Sequence, residues 1–193
     1  SFAHARGVLH RDLKPENIMV GQFGEALVMD WGVAKILRDP EERDESDSPG
    51  FDSANTAHGT VVGTRGYMAG EQAAGANDLD ERVDVYSLGG VLYFLLTDCA
   101  PSDARPRELK PDIPRAIEAV CLKAMAANRD ARYLSAQSML EDVTRFLDGQ
   151  RVTAYRESLF ERANRWAARN RFLLILVLAY LLMRIILLLI AGR

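Results

Sequence analysis

His10-Arg11-Asp12-Leu13-Lys14-Pro15-Glu16-Asn17 sets a carboxylate, an ammonium and a side-chain amide within one short loop. Asp12 can accept a proton from a hydroxyl nucleophile, and Lys14, two residues on, can offset phosphate charge. Asn17 offers an amide oxygen of the kind that ligates a hard cation such as Mg²⁺. The flanking residues frame this loop. Val8-Leu9-His10 is a short apolar run before it, and Asn17-Ile18-Met19-Val20 is another after it. Gly21-Gln22-Phe23-Gly24 then turns the chain into Ala26-Leu27-Val28-Met29, a pattern that reads as a β-hairpin. Phe2 to Gly7 read as a helix end closed by glycine, so the sequence is expected to be a fragment with something upstream missing.

Further along, helices are expected over 82–97, 114–127 and 135–148. The first carries the apolar run Val91 to Leu96 and is expected to be buried around its circumference. The second opens with Pro114 at the first helical position and sets Ile117, Val120, Cys121, Ala124 and Met125 on one face. The third has Ser135 as N-cap and Gly149 just past its end, with Met139, Leu140, Val143, Phe146 and Leu147 as its apolar face. Between 37 and 58 polar and turn residues dominate without apolar periodicity, which reads as a loop. A small hairpin followed by helices argues an α+β fold.

Composition removes several function classes. The 193 residues are long enough for a domain with a sizeable core, and a formal net charge of -3 gives no global basic field for nucleic acid. Cys99 and Cys121 lack metal-ligand spacing and an accompanying base; both are expected to be reduced, buried core thiols.

The run from His10 to Asn17 resembles the catalytic loop of eukaryotic-like protein kinases, H-R-D-x-x-x-x-N. Asp30-Trp31-Gly32, directly after the second hairpin strand, resembles their D-F-G. Gly63-Thr64-Arg65-Gly66-Tyr67-Met68-Ala69-Gly70-Glu71 resembles the end of their activation segment, with Gly70 in place of the proline of A-P-E. The resemblance covers residues 1–149 and implies the larger, carboxyl-terminal kinase lobe, mainly helical with a small β-hairpin. It implies ATP and Mg²⁺ as cofactors, with Mn²⁺ an alternative cation, and Ser/Thr hydroxyls of proteins as acceptors.

The same resemblance assigns roles. Asp12 would be the base, Lys14 the phosphate contact, and Asn17 and Asp30 the metal ligands. Trp31, a large aromatic like the usual phenylalanine, could fill the same apolar slot, with altered packing rather than lost metal binding expected. Thr64 would partner Lys14, and Arg11 would receive an activation-loop phosphate on Thr60 or, as second candidate, Thr56. Glu71 would pair with Arg132, and Asp84 would accept backbone N–H bonds from the His10-Arg11-Asp12 turn. Glycine at 70 removes the fixed φ of proline and leaves the rigidity of that segment open.

Residues 172–190 hold one charge, Arg184, and fifteen Leu, Ile, Val or Phe. At 1.5 Å per residue a helix there would span roughly 28 Å, near the hydrocarbon thickness of a bilayer. Arg156, Arg162, Arg165, Arg169 and Arg171 precede it and Arg193 follows it, so the positive-inside rule puts the kinase part in the cytoplasm. The expected organisation is therefore a kinase lobe over 1–149, a basic juxtamembrane segment over 150–171 and a single transmembrane helix over 172–190; within the segment, 157–170 reads as a basic helix lying along anionic headgroups or as a plain solvated linker helix. This combination resembles bacterial receptor-like serine/threonine kinases of the plasma membrane, with a homodimer for trans-autophosphorylation as a further partner. The Gly-rich loop, the β3 lysine and the helix-C glutamate that hold ATP are not in the sequence, so the 193 residues alone are expected to be inactive. The alternative is a membrane-anchored pseudokinase or non-catalytic scaffold.

Overall fold

The computed structural model describes residues 2–37 and 66–156, together with 170, 172, 174–176 and 179–184. The chain divides into two compact units, 1–155 and 156–193.

In the first unit a 3-10 turn, His4–Arg6, ends at Gly7, whose φ of 67° closes the turn. Strand β1 (Val8–Leu9) follows. The loop then passes through a second 3-10 turn, Pro15–Asn17, into the antiparallel hairpin of β2 (Ile18–Val20) and β3 (Ala26–Val28). Strand β4 (Lys35–Ile36) returns to pair with β1, Val8 opposite Ile36. Two residues carry no alternation to read, and this pairing was not anticipated.

Short helix α1 (Gly70–Ala73) precedes the long α2 (Arg82–Thr97), and another short helix, α3 (Pro106–Leu109), follows it. Helices α4 (Arg115–Ala124) and α5 (Ala136–Leu147) complete the unit. Val85 of α2, Ile117, Val120 and Ala124 of α4, and Met139 of α5 form the main core with Ile113, Tyr133 and Val152. A smaller cluster joins Leu9 of β1 to Val83 of α2 through Ala69 and Leu79.

Glycine sets how closely α2 is approached. A Cβ on Gly89 would lie 2.8 Å from the Ala124 Cβ, and one on Gly90 would lie 2.9 Å from the Tyr67 ring. Glycine within a helix costs about 1 kcal/mol against alanine; here it admits α4 on one side and Tyr67 on the other. Cys121 fills this contact, with Sγ 3.5 Å from the Gly89 carbonyl, and burial pushes its thiol up to about 12.

Several local expectations are corrected. Leu95 is 68% exposed, so α2 is not apolar-buried all round. Pro114 is extended and sits at the N-cap of α4, one residue before the helix. Leu140 and Leu147 of α5 face outward, because its buried face centres on Met139 and Asp142 instead. Cys99 is exposed in the turn after α2, and only Cys121 is a core thiol.

In the second unit the described residues 174–176 and 179–184 are helical. Among the described residues no helix is long and apolar enough to cross a membrane, so the span expected over 172–190 is not met there.

An unanticipated clamp closes the first unit. The buried Asp142 carboxylate of α5 accepts from the Tyr133 hydroxyl (2.9 Å), the Thr153 N–H and hydroxyl (both 2.7 Å) and the Ala154 N–H (3.0 Å). These bonds fasten the segment after α5 against the core and seat Val152 within it. Burial alone would raise the Asp142 carboxyl; the Thr153, Tyr133 and Ala154 bonds outweigh it and hold the group below the ordinary aspartate value. A depressed folded pKa gives stability that is present above the unfolded aspartate value and lost as pH falls through the folded one. Asp142→Ala is expected to cost about 3 kcal/mol, measured by urea unfolding at neutral pH. The gap to wild type should shrink as pH falls below about 3.8, the ordinary aspartate value, and be lost as pH passes through the lower value of the folded carboxyl. A midpoint unchanged at neutral pH would show that the clamp contributes nothing.

Candidate active site

The loop from His10 to Asn17 is shaped by a carboxylate from another element. Asp84, near the start of α2, is fully buried; its Oδ2 accepts the His10 N–H at 2.9 Å and its Oδ1 the Arg11 N–H at 2.8 Å. Two adjacent amides can turn to one carboxylate because Arg11 takes the left-handed conformation, φ 69°. That conformation is uncommon for a residue with a Cβ and needs such support.

His4 is a third arm of this node, absent from the sequence reading. Its Nε2 lies 2.7 Å from Asp84 Oδ2, and its Nδ1 lies 3.2 Å from Glu81 Oε2. Gln72 of α1 adds a fourth, donating through Nε2 to the Arg11 carbonyl at 2.6 Å. Both residues look like ordinary polar positions in one dimension. The only signal for His4 was its place on a turn next to the loop.

His10 links the loop to the hairpin. Its Nδ1 accepts the Asp12 N–H at 3.3 Å, which leaves Nε2–H to donate to the Met29 carbonyl at 2.9 Å. The Met29 N–H in turn donates to the Asn17 carbonyl at 2.8 Å. Asp30 therefore leaves a strand end bonded to both ends of the loop. Its φ of 58° is also left-handed, and the Gly32 N–H approaches its carboxylate at 3.4 Å.

Within the loop the Lys14 ammonium lies 3.0 Å from Asp12 Oδ2. Asn17 donates through Nδ2 to the Asp12 carbonyl at 2.8 Å and to its carboxylate at 3.2 Å. Committing Nδ2 to Asp12 leaves the amide oxygen as the Asn17 atom suited to a cation. Asn17 is buried and Asp30 is exposed. Among the described residues no three His, Cys, Asp or Glu gather to hold a metal. One amide oxygen and one carboxylate do fit Mg²⁺, which commonly takes few protein ligands and completes its octahedron with phosphate and water oxygens.

One expectation changes here. Trp31 does not fill an apolar slot: it is 44% exposed, stands edge-on to the His10 ring at 4.6 Å, and donates Nε1–H to the Val28 carbonyl. Arg11 donates through Nε to the Val33 carbonyl at 2.6 Å, so its guanidinium braces the segment after Trp31-Gly32. Thr56, Thr60 and Thr64 lie outside the described residues.

Glu71 and Arg132 meet in a bidentate pair, Nη1 to Oε1 at 2.6 Å and Nη2 to Oε2 at 2.9 Å. Arg132 is buried and also donates to the carbonyls of Ala126, Arg82 and Ala127. Burial would raise the Glu71 carboxyl; the Arg132 bond and charge outweigh it and hold it low. Removing Glu71 would strand a buried guanidinium at about 3–5 kcal/mol. Gly70 starts α1 without using glycine's freedom, since its φ is not positive and a Cβ there would meet nothing within 4 Å.

A β1–loop–hairpin unit braced on a buried helix-start aspartate sets Asp12, Lys14 and Asn17 within contact of one another, with Asp30 at the adjoining strand end. The protein kinase domain family matches residues 1–159, and the chain belongs to it. Among curated proteins, serine/threonine-protein kinase PknD of Chlamydia muridarum is 35% identical over 182 residues, covering 82% of this chain and 19% of that protein. PknD of Protochlamydia amoebophila is 36% identical over 172 residues, covering 78% and 17%. PknD of Chlamydia felis is 34% identical over 193 residues, covering 90% and 21%. The chain thus spans about a fifth of the length of these relatives.

Asp84→Asn keeps one acceptor oxygen where the loop uses two. Hydrogen exchange at the His10 and Arg11 amides should quicken at least about tenfold in the variant, the equivalent of about 1.4 kcal/mol of lost protection. Equal exchange in both proteins would show that Asp84 does not hold the turn.

Proposed function

We propose that this chain supplies the catalytic-loop half of a serine/threonine protein kinase, which moves the γ-phosphoryl group of ATP onto Ser or Thr hydroxyls of proteins. The observation that carries this reading is the Asp12 carboxylate held between Lys14 and Asn17 on a turn braced by Asp84. In this reading Asp12 accepts the hydroxyl proton as the nucleophile attacks, and Lys14 balances charge on the transferred group. Asn17 and Asp30 would hold the divalent cation, Mg²⁺ or Mn²⁺, which when bound neutralises phosphate oxygens. The choice of Ser/Thr over Tyr rests on Lys14 two residues after Asp12 and on relatives named serine/threonine-protein kinases. Thr60, or Thr56, would receive a regulatory phosphate from a second copy of the chain.

Phosphotransfer is measured with γ-labelled ATP on the protein at its full natural length. Asp12→Asn should lower the rate at least about 100-fold with the fold intact, the label appearing on phosphoserine and phosphothreonine. An active Asp12→Asn variant would remove the assigned base. An inactive wild type that still binds partner proteins would favour the scaffold reading.

Attachment to the inner membrane completes the proposal, with 172–190 as the apolar element, the arginine-rich 150–171 at the headgroups and the kinase part in the cytoplasm. Its support is the sequence: fifteen large apolar residues of nineteen and the excess of arginine on one side. Alkaline carbonate extraction of cells is expected to leave the protein in the membrane pellet. Recovery in the soluble fraction would count against the anchor.

A further inference from the structure

We propose that Thr153 is a phosphorylation site of this chain, modified by a second copy, and that the phosphate opens the Asp142 clamp. The inference rests on the reading of the chain as a serine/threonine kinase and names one acceptor hydroxyl for it, on the chain itself. Thr153 is exposed, lies outside any helix or strand, and lines a cavity of about 400 Å³ within the first unit. Four other hydroxyls are placed differently: Ser87 and Thr97 of α2 are buried, and Ser138 and Thr144 lie within α5.

The Thr153 hydroxyl donates to Asp142 Oδ2 at 2.7 Å, where the Tyr133 hydroxyl and the Ala154 N–H also converge at 2.9 and 3.0 Å. Phosphorylation exchanges that donor for a charge. Thr153 Oγ attacks the γ-phosphorus of ATP, the bond from that phosphorus to the β,γ-bridging oxygen breaks, and ADP leaves with the electron pair. The hydroxyl proton passes to the Asp12 carboxylate of the second copy. What remains on Oγ has no proton to donate and carries a charge of about −1.5 to −2 at pH 7.

Like-charge repulsion then acts at close range. The bonds to Asp142 hold its carboxyl below the ordinary aspartate value, so it is ionised at neutral pH. The phosphorus is one bond from Oγ, so phosphate oxygens crowd Oδ2 for as long as the 2.7 Å spacing lasts. A buried carboxylate that has lost a donor and gained an anionic neighbour disfavours the closed clamp. The cations lining the cavity are engaged: the Lys123 ammonium lies 4.1 Å over the Tyr133 ring, and Arg145 Nη1 lies 3.8 Å from Asp142 Oδ1. Glu141 adds a further carboxylate to the lining. Opening frees the Thr153 and Ala154 amides and unseats Val152 from the core.

The test uses the protein at its full natural length. Tagged Asp12→Asn protein is incubated with ATP and untagged active protein, recovered by its tag, and its phosphates are mapped by mass spectrometry. Phosphate is expected on Thr153. Hydrogen exchange at the Thr153 and Ala154 amides should then be at least about tenfold faster than in the unmodified protein, and phosphatase should restore the slow rate. Thr153→Glu should reproduce the fast exchange without ATP. Thr153→Val, which loses the hydroxyl and gains no charge, should quicken exchange less; equal quickening by both variants would overturn opening by charge. An unmodified Thr153 on a tagged chain that takes phosphate at other Ser or Thr residues would sink this inference and leave the kinase reading standing. Absence of phosphate from every acceptor would overturn both. Exchange slowed or unchanged by the phosphate would show that the clamp tolerates it and would overturn the switch.

Discussion

The Asp84 carboxylate carries the geometry of the whole candidate site. A buried carboxylate is tolerated only when its lone pairs are taken, and here two loop amides and His4 take them. The arrangement is mutually enforcing: Asp84 holds Arg11 in the left-handed region, and the loop amides meet the need of the buried charge. Because Asp84 sits on α2, the helix at the centre of the core, the loop inherits the rigidity of packed side chains. Energy from apolar burial is thereby used to fix a polar loop whose own sequence would leave it mobile.

From that node the order spreads by short bonds. His10 carries it to Met29, and Met29 returns it to Asn17, so the loop and the strand end before Asp30 form one closed circuit of hydrogen bonds. Gln72 ties the same turn to α1, where Glu71 ties that helix to Arg132. Two segments far apart in sequence, α1 through Gln72 and α2 through Asp84, thus meet on the backbone of His10 and Arg11.

What could be read in advance followed from chemistry with few alternatives. The hairpin was legible because glycine turns and apolar runs of strand length are local signals, and α2 and α5 because caps and periodicity are local too. Asp84 and the Glu71–Arg132 pair, 61 residues apart, were legible only through family resemblance. His4, Gln72 and Asp142 escaped because a polar side chain reveals its partner only after the chain has folded. Leu95, Leu140 and Leu147 escaped for the opposite reason: periodicity locates an apolar stripe without telling how much of it a neighbour covers. Trp31 was assigned a slot by analogy with phenylalanine, yet its indole N–H requires an acceptor and finds one at the Val28 carbonyl, at the price of exposure.

That exposure gives the molecule an optical handle. The sequence contains two tryptophans, Trp31 and Trp166. Trp31 touches His10 edge-on and is the immediate neighbour of Asp30. An indole half in water has an emission colour that follows local polarity, and an imidazole at its edge can quench it. Spectra of a Trp166→Phe chain would therefore read out the state of the His10–Met29–Asn17 circuit directly, turning a departure in packing into an intrinsic gauge of loop order.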